Sequence, residues 1–214
     1  MHKTVLICEG YNDTVFLHET LINRMSVKSN QVKIYSRLIS FTRDVRSSTQ
    51  ANISIIAVDG PVSPKFPVRF VRQFWYIEVS QMSLGVITDG DRGEMYDKLV
   101  EYLRLYLDTN CKKHNIDPAL SYSDSERKLK MCFNGRRTVT IWTFGVPASL
   151  EIQVSKALKE KYKKLRSLAG EDETIRAACH LLSISREDLI RSSVGLLANK
   201  KWFIDFCKRF DKRF

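Results

Sequence analysis

Two apolar runs in this chain stop in the same way, on carboxylates. The first, VLICEGYND (residues 5–13), ends on Glu9 and Gly10 and places Asp13 one helical turn later; the second, LGVITDGDRG (residues 84–93), ends on Asp89 and Asp91. Short continuous runs of Val, Ile and Leu read as strands buried on both faces. In an open α/β sheet the carboxyl ends of such strands converge on one crevice beside helix N-termini. If the two strands are neighbours, Glu9, Asp13, Asp89 and Asp91 collect in one small volume. Like charges so crowded repel, and a divalent cation balances them.

Oxygen-only donors with an Asp-x-Asp spacing suit Mg²⁺, which takes one or two carboxylates and keeps several waters; Mn²⁺ is a possible substitute. Gly10 and Gly90 are expected to turn the backbone sharply and leave room for a phosphate. An EF-hand loop starting at Asp89 fails, because Gly93 and Val100 stand where its fifth and twelfth ligands belong. No P-loop and no Gly-x-Gly-x-x-Gly follows a strand. The local alternative, that Asp-Gly merely marks a turn, explains one run better than it explains two. The four histidines, His2, His18, His114 and His180, have no metal-ligand spacing. Glu151, after the GVPAS turn, reads as a helix-start acid favouring the macrodipole, with an added ligand as the alternative.

Around these runs the pattern alternates strand and helix. Asn12 or Asp13 caps a helix carrying Val15, Phe16, Leu21 and Ile22. VKIYSRLISF and NISIIAVDG read as strands, and GPVSPKFPVRF, with three of the chain's five prolines, as a surface loop or flap. FWYIEV and SLGVIT read as strands, GEMYDKLVEYLRLYLDTN as an amphipathic helix, and KLKMCFNGRRTVTIWTF as a hairpin turning at Asn134-Gly135. From Leu150 onward the sequence turns helical, giving three or four helices. The expected architecture is an α/β domain over 1–150, with a mostly parallel central sheet flanked by helices, and a basic helical C-terminal extension over 151–214.

With 214 residues, 43% of them hydrophobic, the chain can bury a full core. Its net charge of +11, from 35 Lys and Arg against 24 Asp and Glu, favours a polyanionic partner, DNA or RNA. Arg92, Arg136 and Arg137, and the helical lysines Lys156, Lys159, Lys163 and Lys164, are the candidate phosphate contacts; a merely solvated helix face is the alternative for the lysines. A protein partner or a homo-oligomer is also open. The five cysteines are odd in number and form no Cys-x-x-Cys pair, so a reduced, cytoplasmic chain is expected. No apolar stretch approaches bilayer length, so no membrane partner is expected.

The pair VLICEGYND and GVITDGDRG resembles the Toprim domain of bacterial primases, type IA and type II topoisomerases, ribosomal-RNA maturation nucleases and the overcoming-lysogenization-defect nucleases. The resemblance spans about residues 3–106 and extends to the strand at 138–144. It implies a Toprim-like fold, Glu9 as general acid or base, and Asp89 and Asp91 as Mg²⁺ ligands with Glu9 beside them. Asp13 matches the extra acid of the primase and nuclease branches. The implied function is Mg²⁺-dependent phosphoryl transfer on nucleic acid, foremost phosphodiester hydrolysis. A non-catalytic nucleic-acid-binding or adaptor protein that retains the metal site and a primase-like subunit are the alternatives. Gly93 follows Asp91 by two residues where many relatives have one more, so the resemblance implies metal binding more directly than catalysis.

Overall fold

The two carboxylate-ended runs are strands that lie side by side. The computed structural model describes residues 2–35, 41, 52–74, 80–90, 94–114, 119–133 and 137–211. Strands β1 (His2–Cys8) and β4 (Gln81–Asp89) pair in parallel, with Ile7 opposite Val86. β3 (Ile53–Ala57) and then β2 (Val32–Tyr35) extend the sheet on the far side of β1. β7 (Arg137–Val146) adds in parallel to β4, and β6 (Lys128–Phe133) and β5 (Ala119–Ser123) follow antiparallel. The resulting seven-stranded mixed sheet, ordered β2-β3-β1-β4-β7-β6-β5, is mostly parallel. Seven helices flank it among the described residues: α1 (Tyr11–Met25), α2 (Lys65–Phe74), α3 (Glu94–His114), α4 (Leu150–Lys161), α5 (Glu171–Leu182), α6 (Arg186–Leu197) and α7 (Lys201–Asp211).

Residues on β1 alternate between two cores. Leu6 and Cys8 face a core shared with Val15, Phe16 and Leu21 of α1, whereas Val5 and Ile7 face one shared with Phe70 and Val71 of α2 and Leu99 and Leu103 of α3. Both faces are apolar because both are covered, as parallel strands require. The connection from β1 to β2 runs one way across the sheet with α1 on the first face. That from β3 to β4 runs the other way with α2 on the second, which a single crossover hand demands. The chain therefore changes direction between β1 and β4, and the crevice opens there.

The segment read as helical and basic forms four helices, and Gly170 precedes α5 as its N-cap. Leu150, Val154 and Leu158 of α4, Ile175 of α5, Leu189 and Val194 of α6, and Phe203, Phe206 and Phe210 of α7 join the core that holds α1. Phe206 and Phe210 meet Phe144 and Trp142 of β7 at ring separations of 5.2 and 5.9 Å. These helices thus roof the sheet directly over β7.

Three expectations change. GPVSPKFPVRF is not all loop: from Lys65 it is helix α2, because Pro67 sits in the first turn, where a missing N–H has no intrahelical partner to lose. The Ser63 hydroxyl accepts from the Lys65 N–H at 3.3 Å, and Phe70 and Val71 are buried. Phe74, read as the start of a strand, closes α2 instead, and residues 75–79 lie outside the described residues. Edge strand β5 is an addition to the expected elements, since ALSYS lacks an apolar run. The expected strand from Val32 is seen over Val32–Tyr35, and the Asn134-Gly135 turn lies outside the described residues. Among the described residues no helix is long and apolar enough to cross a membrane, and Cys8, Cys132, Cys179 and Cys207 are free thiols.

Candidate functional site

Because β1 and β4 are parallel neighbours in register, Glu9 leaves the sheet beside the end of β4, where Asp89 is the last strand residue. Asp89 pairs across to Val146 of β7, and the chain then turns through Ser149, whose hydroxyl accepts from the Ile152 N–H at 3.3 Å to cap α4. α1 likewise starts directly after β1, with Gly10 as its N-cap, so the expected caps Asn12 and Asp13 lie inside its first turn instead. Two helix N-termini therefore flank the acids, and their positive ends favour negative charge. The Leu150 N–H, at the start of α4, hydrogen-bonds the Asp89 carboxylate.

Gly90 behaves as its sequence context suggests. Its φ of +66° is one that side chains avoid, and its N–H donates to the Val146 carbonyl at 2.8 Å, turning the chain at the strand end. Gly10 does not. At φ −128° and ψ 171° it has ordinary extended backbone, and a Cβ there would meet only the Asp13 Oδ2 at 3.6 Å. Its N–H donates to Asp13 Oδ2 at 2.8 Å, half of a capping box whose other half a glycine has no side chain to make. On the opposite side, the Gly60 N–H donates to the Glu9 carbonyl at 3.1 Å, so the turn after β3 fixes the backbone of Glu9.

The electrostatics follow first from desolvation and then from repulsion between the acids. Partial burial, then repulsion from Glu151 and Glu9, push Asp13 up to about 6 against the opposing Gly10 hydrogen bond. Asp13 borders a small apolar recess formed by Phe16, Ile87, Leu150 and Trp202, which accounts for its desolvation. Asp89 is pushed up to about 7, led by desolvation of its carboxyl and followed by Asp13, Glu9 and Glu151. Asp89 is open to solvent at the strand end, so water screens much of that cost. The Cys8 thiol is raised by burial and then by Asp13, Glu9 and Asp89. Glu9 and Glu151 thus act on both Asp13 and Asp89, and Asp13 acts on Asp89.

Glu151 is the residue whose role the sequence understated. It starts α4 as expected, yet it also repels Asp13 and Asp89 and accepts from Asn12 Nδ2 at 2.8 Å, which ties the N-terminus of α1 to that of α4. Position alone could have suggested this, since a strand, a tight turn and an acidic first turn repeat the grammar of β1 and α1. Asp91, Arg92 and Arg136 lie outside the described residues. Arg137 begins β7, at the opposite end of that strand from the acids, roughly 30 Å away by strand rise. Lys156, Lys163 and Lys164 are exposed along and beyond α4, whereas the Lys159 ammonium donates to the Leu168 carbonyl at 2.6 Å.

The donors at this strand end are all oxygens, which fits a hard cation, and repulsion from Glu9 and Glu151 adds to the desolvation that raises the proton affinity of Asp13 and Asp89. Among the described residues no three acids, histidines or cysteines stand close enough to form a metal site, Asp91 being outside them.

No protein-family model matches the chain, and no curated protein does. Among solved structures, it is similar to a hypothetical protein from Pyrococcus horikoshii OT3. The two share 15% identity and a TM-score of 0.53 over 97% of this chain and 95% of that one. At that identity the likeness shows the fold alone: an α/β arrangement shared along nearly the whole chain, C-terminal helices included.

Proposed function

We propose that this protein carries a Toprim-type site and catalyses Mg²⁺-dependent phosphoryl transfer on nucleic acid, foremost phosphodiester hydrolysis. The observation that carries the reading is the parallel pairing of β1 with β4, which brings Glu9 and Asp89 to one strand end and leaves Asp89 with a proton affinity near neutrality. Asp89 and Asp91, with Glu9 beside them, are the residues that would hold the ion. When bound, it supplies Lewis-acid polarisation of the scissile phosphate and balances the acids. Glu9, fixed by the Gly60 N–H through its own carbonyl, exchanges the proton of the attacking water. Asp13 and Glu151 keep the local field negative, so substrate phosphate is repelled until a cation is present.

The test is cleavage of labelled single- and double-stranded DNA and RNA with Mg²⁺, with Mn²⁺ and in EDTA. Cleavage by the wild type that needs the ion and disappears in Asp89→Asn supports the reading. Equal cleavage in EDTA overturns it. The second reading is a non-catalytic nucleic-acid-binding or adaptor protein that retains the metal site. Nucleic-acid binding without cleavage on any of the four substrates would select it.

A further inference from the structure

The first face of the sheet changes character toward its amino end. Leu6, Gly85 and Trp142 stand side by side on β1, β4 and β7 and lie beneath Phe206 and Phe210 of α7. Two residues back along each strand, the row that pairs with Thr4 is Ser83, Thr140 and, on β6, Lys130. Central parallel strands are normally apolar on both faces because helices cover both. Here, among the described residues, hydroxyls and an ammonium replace the apolar side chains, with Thr4 and Ser83 buried and Lys130 exposed.

An open cleft of about 270 Å³ lies over this row. His2 on β1, Ser83 on β4, Thr138 and Thr140 on β7, and Lys128 and Lys130 on β6 line it. His2 Nε2 and Ser83 Oγ are 3.0 Å apart, so both side chains are held in place, and burial keeps the imidazole below its ordinary range. Lys128 also meets Glu126 at 3.6 Å, but among the described residues neither Glu126 nor any other acid is part of the lining. The volume is below that of most small-molecule pockets. It has room for a tetrahedral oxyanion and for part of the group that carries it.

We propose that this cleft binds a phosphate group, with Lys130 and Lys128 supplying charge and the Ser83, Thr138 and Thr140 hydroxyls donating to its oxygens. It lies at the opposite end of the strands from Glu9 and Asp89, and it stands whether or not the carboxylates catalyse. Phosphate chemistry can come from a free phosphate, a nucleotide or a nucleic-acid end, so the test separates them.

The full chain is titrated with inorganic phosphate, a 5′-mononucleotide and a 5′-phosphorylated dodecanucleotide while backbone amide chemical shifts are followed, against sodium chloride at matched ionic strength. Saturable shifts at Ser83, Lys130, Thr138 and Thr140 are expected, and the tightest ligand names the source. Lys130→Gln and Thr140→Val, each at a partly or fully exposed position, should each weaken binding roughly tenfold. Asp89→Asn should leave these shifts in place, which separates this cleft from the carboxylate site. The same shifts with chloride alone, wild-type affinity in both Lys130→Gln and Lys128→Gln, or shifts confined to the carboxyl end would overturn the proposal.

Discussion

The two ends of the sheet are built from the same strands and differ in almost everything else. At the carboxyl end, β1, β4 and β7 stop beneath the N-termini of α1 and α4, and desolvation, with repulsion from the neighbouring acids behind it, makes Asp13 and Asp89 hold protons more tightly than usual. At the amino end the same strands show Ser83, Thr138 and Thr140, joined by lysines from β6, around an open cleft. The net charge of +11 is therefore not a property of the site the acids form. A phosphate approaching the carboxyl end meets repulsion, whereas one approaching the amino end meets attraction. A basic chain can thus hold an acidic cluster at one end of its sheet while carrying its positive excess elsewhere.

The largest expected effect tests whether the acidic end is chemical and not only electrostatic. Glu9→Gln keeps the size of the side chain and removes its capacity to exchange a proton, so on a cleaved substrate it should lower turnover by about 10²–10⁴-fold with KM changed only a few-fold. Steady-state kinetics at saturating Mg²⁺ measure both. An unchanged turnover would leave the two ends differing in charge alone.

A second change strikes the border between the ends. Gly85 stands on β4 against the face of Trp142, and a Cβ there would come within 2.4 Å of Trp142 Cζ2 and 2.8 Å of Leu6 Cδ2. Trp142 is buried under α7 and cannot swing away freely, so Gly85→Ala should destabilise the fold by about 1–3 kcal/mol. For a chain of this size that is a drop of roughly 2–12 °C in melting temperature. A variant that melts with the wild type would show that α7 sits loosely.

The third prediction concerns proton linkage at the acidic end, in EDTA. Asp89 stands at about 7 in the fold against an ordinary value of 3.8, so the folded state binds its proton more tightly than the unfolded chain does. That contribution to stability is fully present below the unfolded value and is lost as pH rises through the folded one. Asp89→Asn lacks the loss, so it should match the wild type near pH ~4 and exceed it at pH ~8. The shift taken at face value is about 4 kcal/mol, and solvent at the strand end reduces the expected gain to about 1 kcal/mol. Chemical denaturation at both pH values measures it. A gain of equal size at both would mean that the raised proton affinity of Asp89, set by desolvation and then by the neighbouring acids, is not its source.

How much of this was legible in the sequence depends on how local each signal is. β1, β4, α3 and the β6–β7 pairing announce themselves in residues that are close in sequence, through apolar runs, helical spacing and an Asn-Gly pair. The pairing of β1 with β4 is a long-range fact, and the sequence could pose it only as a condition. α2 was hidden because Pro67 suggests a loop until its place in the first turn is known, and β5 because an edge strand needs no apolar run. Gly10 misled for the opposite reason: glycine permits an unusual backbone without requiring one. The amino-end cleft could not be seen at all, since Ser83, Thr140 and Lys130 meet only through the strand register.

The smallest expected effect asks which basic residues outside the two strand ends touch a nucleic-acid backbone. Lys156, Lys163 and Lys164 are exposed, but the Lys159 ammonium is committed to the Leu168 carbonyl at 2.6 Å, where it ties α4 to the turn before α5. The four lysines, alike in sequence, should therefore separate in experiment. Replacing Lys156, Lys163 and Lys164 by Ala should leave the melting temperature nearly unchanged and reduce the slope of log affinity against log salt on duplex DNA, by up to about 0.9 for each phosphate no longer neutralised. Lys159→Ala should do the reverse, costing roughly 1 kcal/mol of stability and leaving the slope alone. If the triple variant keeps the full slope while Lys128→Gln and Lys130→Gln reduce it, the backbone is held at the amino end of the sheet and the α4 lysines are solvated surface.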